Sequence, residues 1–154
     1  MSSAIEDRIF DFLEESIAAI VDEDDPLFGA QLLDSPFAKI ESEYGIQVDD
    51  GDSDFAPTPG ATDIEEFDGR VTLIIFRLVT GADRSQRAEA RGQAIAMSKA
   101  AAMFFLEDPT MGGRVNDSRV LRCSRGWASI KASHYSIMNV PLIVNETGTG
   151  GING

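Results

Sequence analysis

The chain has 154 residues and a mass of 16.6 kDa, 43% of them hydrophobic, which suits one folded domain and is too apolar for a disordered chain. Acidic residues outnumber basic ones 26 to 13, and a net charge of −13 argues against a general binder of nucleic acid or of an anionic membrane. The single cysteine, Cys123, excludes an internal disulfide framework and a cysteine-based structural zinc site, and no apolar run is long enough to span a bilayer.

The first residues lack the basic patch and apolar run of a signal peptide, so a soluble product of intracellular origin is expected. Ser3-Ala4-Ile5-Glu6 has the pattern of a capping box. Behind it Ile5, Ile9, Leu13, Ile17 and Ile20 recur at helical spacing, with Glu6, Asp7, Asp11, Glu14 and Glu15 on the other face. That predicts an amphipathic helix of about five turns, closed by Asp22-Glu23-Asp24-Asp25 before Pro26. In 26–44, Phe28, Leu32, Leu33, Phe37 and Ile40 supply core anchors around the Ser35-Pro36 break.

Ile46-Gln47-Val48 reads as a short strand. Residues 49–66, with four aspartates, two glycines and two prolines in their first part, read as a long acidic loop. The clearest strand is 70–80, apolar on both faces from Leu73 to Phe76 and therefore central. Gly81-Ala82-Asp83 leads into an alanine-rich helix over 84–107, which Asp108-Pro109 stops. After the Met111-Gly112-Gly113 loop, strands are predicted at 119–130 and 134–144, and 147–154 form a glycine-rich tail. These elements predict an α+β domain over 1–146: two long helices packed on a small, mostly antiparallel β-sheet, with long loops.

The charge is divided along the chain. Residues 1–69 hold 20 acids and two bases, and residues 70–154 hold six acids and 11 bases. A folded molecule with an acidic part and a basic part can meet copies of itself head to tail, the geometry that closes into rings. Charge runs are also commonly just solvated faces or tails.

Motifs for catalysis are absent. His134, the only histidine, reads as a half-buried strand residue rather than a general base. Cys123 stands between Arg122 and Ser124, where arginines could lower a thiol pKa, but a lone strand cysteine reads first as a small core residue. Asp50-x-Asp52-x-Asp54 opens like a calcium loop, but Phe55 and Ala61 stand where an EF-hand needs Gly and Glu; at most a weak, nonspecific cation site is left there. Gly148-x-Gly150 has no strand–helix context for a phosphate cradle. No catalytic residue, cofactor or metal site is assigned.

The order of elements, with the alanine-rich helix running into Leu106-Glu107-Asp108-Pro109-Thr110-Met111-Gly112-Gly113 ahead of paired strands, resembles the tail-terminator and tail-completion proteins of long-tailed bacteriophages. Met111 stands at a position where that family pattern has leucine. The resemblance implies a structural virion protein without catalytic residues, at the head–tail junction and assembled in the bacterial cytoplasm. It would form a homohexameric ring that caps the head-proximal end of the tail tube, stops tube polymerisation and docks to a head-completion or connector protein. DNA would pass through the lumen without specific binding. In such a ring Arg70, Arg114, Arg119, Arg122 and Arg125 are expected on one side of the subunit interface, and Asp49, Asp50, Asp52 and Asp54, or the acids of 22–25, on the other. A head-completion (connector or neck) ring protein and a monomeric acidic binding module are the alternatives.

Overall fold

A computed structural model describes residues 5–34, 40–57 and 66–147, with side chains described for all of these except 49–57, 66–67 and 147. The order of elements is α1 (Ile5–Ala18), β1 (Gln31–Leu33), β2 (Tyr44–Pro57), β3 (Glu66–Leu78), α2 (Arg84–Glu107), β4 (Asp117–Val120), β5 (Ser124–Ile130) and β6 (Ser133–Thr147). Ser3 of the predicted capping box, 58–65 of the predicted loop and 148–154 of the predicted tail lie outside the described residues.

The expected fold of two long helices on a small, mostly antiparallel sheet is overturned. A six-stranded mixed sheet dominates, in the order β1-β2-β3-β6-β4 with β5 also on β6, and three of its strands are 13 to 15 residues long. Two observations account for the difference. Gln31–Leu33 adds a parallel strand beside β2, and β2 runs on to Pro57 instead of opening into a loop at Asp49. Its register with β3 shifts between Asp49↔Thr72 and Asp54↔Arg70, so residues 50–53 bulge opposite Val71 alone. Gly45 is required where β1 crosses close: a Cβ there would lie 2.2 Å from the Gln31 carbonyl oxygen and 2.7 Å from the Phe76 ring.

Both helices pack on one face of the sheet. Ile5, Ile9, Phe12 and Leu13 of α1 and Ala94, Met97, Ala101 and Phe105 of α2 share a core with Ile46 and Val48, with Val71, Leu73 and Ile75, and with Met138, Val140, Leu142 and Val144. The rings of Phe12 and Phe105 meet edge to face at 5.4 Å, joining the helices. The predicted two-sided burial of β3 is realised on the far face, where Phe76 packs with Leu33, Tyr135 and Ile137 in a second cluster.

Past α2 the chain turns on itself. Asp108 accepts from the Gly112 N–H at 2.8 Å, Thr110 Oγ1 accepts from the Gly113 N–H at 3.2 Å, and Met111, Gly112 and Gly113 all have positive φ. Met111 is fully buried in this turn. The Asp-Pro-Thr-Met-Gly-Gly stretch is therefore a self-capped corner pinned to the core by one apolar side chain.

The single strand expected over 119–130 is broken. Pro141 of β6 accepts from the Leu121 N–H at 2.8 Å, so its carbonyl faces this edge, and the N–H that proline lacks would face it too. The ladder lapses there, and the register passes from Val120↔Leu142 to Ser124↔Asn139, one extra residue on the edge. Beyond it Lys131 and Ala132, both at positive φ, make the two-residue turn of the β5–β6 hairpin. Among the described residues no helix is long and apolar enough to cross a membrane.

Candidate functional site

The sheet order separates the charges in space. Residues 5–34, with ten acids and one base, build α1, packed over β1, β2 and β3, the turn that follows it, and the edge strand β1, whereas the arginine-bearing β4 and β5 lie at the opposite side of the sheet. The acidic turn is held by its own hydrogen bonds. Asp22 Oδ1 accepts from the Asp24 N–H and Asp25 Oδ1 from the Leu27 N–H, both at 2.9 Å, and Leu27 is fully buried. The carboxylates of Glu23 and Asp24 are exposed beside Val21, whose side chain is 90% exposed.

The predicted interface arginines do not stay together. Arg114 is spent inside the chain, 2.7 Å from Glu15 Oε1 and donating to the Met111 carbonyl at 2.9 Å, so it is removed from the interface set. Arg70 and Arg119 are exposed and flank Ile143 in one row across β3, β6 and β4, on the face away from the helices. Arg122 is exposed in the break between β4 and β5. Arg125 falls on the helix-bearing face, opposite Met138 of the main core. Asp49, Asp50, Asp52 and Asp54 lie on the backbone of β2, not in a loop; their side chains, and with them any cation site, are outside the described residues.

Arg125 has company that the sequence reading missed. Arg84, Arg87 and Arg91 recur at i, i+3 and i+7 along one flank of α2, a spacing visible in the sequence once the helix is drawn. The Arg87 guanidinium lies 5.3 Å from the ring centre of Trp127, the only tryptophan of the chain. Trp127 is 48% exposed and divides a groove between α2 and β5 into two depressions. One, of 310 Å³, is lined by Val79, Gly81, Ala82, Arg87, Trp127 and His134 among others. The other, of 290 Å³, is lined by Arg91, Arg125, Gly126, Trp127 and Ser136. Among the described residues none of Arg87, Arg91 and Arg125 makes an ion pair with a carboxylate.

His134 is exposed rather than half-buried, and its Nδ1 lies 2.8 Å from Ser129 Oγ across the hairpin. Cys123 packs at the rim of the main core, and burial raises its thiol pKa, the opposite of an arginine-activated nucleophile. Among the described residues no group of three or more His, Cys, Asp or Glu side chains is placed to hold a metal ion. No protein-family model matches the chain, and no curated protein matches it.

Proposed function

We propose that this chain is a structural assembly protein that closes with copies of itself into a ring, of the kind that caps the head-proximal end of a phage tail tube. The observation that carries the reading is the separation of charge on one domain: exposed carboxylates along α1 and the acidic turn toward the β1 side, exposed arginines on α2 and β5 toward the β5 side. Unlike surfaces on opposite edges favour heterologous, head-to-tail contact, and such contact closes into a ring when the rotation permits. The likeness of 106–113 and of the element order to tail-terminator proteins supplies the setting: a homohexamer that stops tube polymerisation, docks a head-completion protein and lets DNA pass without specific binding.

The test is mass in solution, by light scattering on a sizing column at low and high salt, with and without a tail-tube protein. A discrete ring-sized species that weakens with salt is the expected result. A monomer at every salt and concentration, indifferent to tube protein, would sink the reading and favour a monomeric acidic binding module.

A further inference from the structure

We infer that the groove between α2 and β5 receives the acidic turn 21–25 of a second copy of this chain, with Val21 against Trp127 and the carboxylates of Glu23 and Asp24 between Arg87, Arg91 and Arg125. The inference rests on the self-association proposed above and specifies the surfaces that carry it.

Three observations converge on this pairing. The groove offers an exposed indole surrounded by guanidiniums with no carboxylate of their own among the described residues, a site for an anionic group with an apolar neighbour. The turn offers that combination: the most exposed of the large hydrophobic side chains that stand out from the described surface, followed directly by Glu23 and Asp24, neither of which the turn needs for its own hydrogen bonds. Because Asp22, Asp25 and buried Leu27 already fix the turn, docking orders little new chain.

The placement of the two surfaces makes the contact intermolecular. The acidic turn lies beside Gln93, Ala96 and Met97 of α2, together with Tyr44 and Arg77 on the β2 side. Gln93 follows Arg91 by two residues, roughly 200° around the helix, so turn and groove occupy opposite flanks of α2. A molecule cannot fill its own groove, but a row of copies can do so in one sense, each turn entering the next groove.

The experiment is a charge swap with mixing. The variant Arg91→Glu/Arg125→Glu makes the groove acidic; the variant Glu23→Lys/Asp24→Lys makes the turn basic. All four residues are exposed, and circular dichroism checks that each variant is folded. Each variant alone is expected to self-associate at least about tenfold more weakly than the native chain. Mixed in equal amounts they restore association, because each kind of turn then finds a groove of opposite charge. Trp127, the only tryptophan, reports independently: its emission shifts to the blue as the native chain associates and it leaves water. If the native chain assembles and both variants assemble equally well, the groove–turn contact is wrong while the ring reading stands. Variants that fail singly and are not rescued by mixing, or assembly that leaves Trp127 emission unchanged, would also overturn the contact. A native chain that remains monomeric throughout removes both proposals.

Discussion

Among the described residues, exposed charge on the β1–β2 side of the molecule is almost entirely carboxylate, on α1 and on the 22–25 turn; on the β4–β5 side it is largely guanidinium, on α2, β4 and β5. Beneath them the two sides share one core, because β3 and β6 run through the middle and carry buried residues from Val71 to Phe76 and from Tyr135 to Val144. The contrast teaches that charge segregation here is a property of the surface and does not divide the domain. Leu73→Ala tests that directly. Leu73 is fully buried on β3, and truncation should cost about 2–5 kcal/mol. Unfolding followed by Trp127 fluorescence, which sits on the basic side, should coincide with unfolding followed by far-ultraviolet circular dichroism. Separated transitions would show that the two sides are independent units.

The two sides are also clamped through α1, and the two clamps differ in depth. Arg8 reaches Glu146 on β6 and donates to the Arg114 carbonyl at 3.1 Å, with side-chain exposures of 20% for Arg8 and 26% for Glu146. Glu15 meets Arg114 at 2.7 Å but is itself 68% exposed. Arg8→Ala leaves Glu146 without its partner and removes a bond to a backbone carbonyl, a loss of about 1–3 kcal/mol by urea denaturation. Glu15→Gln should cost less than about 1 kcal/mol, and less again in high salt. The reverse order would mean that the exposed pair, and not the half-buried one, joins the acidic helix to the sheet.

Legibility in the sequence followed whether a signal was local. The bounds of α2 are those of the prediction, because Gly81-Ala82-Asp83 and Asp108-Pro109 punctuate the chain at both ends. The two-sided burial of β3 was equally readable from periodicity, and so was most of the buried stripe of α1 (Ile5, Ile9 and Leu13). That helix nevertheless ends at Ala18, before Ile20 and short of the five predicted turns, and its buried Phe12 was not foreseen. The continuation of β2 over 49–57 was not, since aspartate, glycine and proline favour turns and only the partner strand β3 holds that segment extended. β1 is three residues paired in parallel with a distant segment, and little besides Gly45 announces it. The groove was hidden by parity. Arg119 and Arg125 are six residues apart and would share a face on a regular strand; the extra residue beside Pro141 sends Arg119 to the open face and Arg125, with Trp127, to the helix side.

Cys123, in that same break, gauges how far the field of the basic side reaches. Arg122 and Arg125 stand close in sequence and would favour a thiolate, whereas partial burial against the main core favours the thiol; burial prevails, and the pKa is raised. The folded chain therefore holds this proton to a higher pH than the unfolded chain does. Once the pH passes the unfolded pKa, the unfolded state has released a proton that the native state keeps, so this contribution to stability is present below that point and is lost as the pH climbs through the folded pKa. Native Cys123 should be alkylated by iodoacetamide with a pH midpoint above that of the same thiol in urea, and Cys123→Ala should flatten the alkaline limb of a stability–pH curve. The effect is the smallest of the four, since the residue is only half-buried. A native midpoint below the unfolded one would show that the guanidiniums of the β4–β5 edge outweigh burial even at the rim of the core. The charge contrast would then extend beneath the surface, and Cys123 would become a candidate nucleophile.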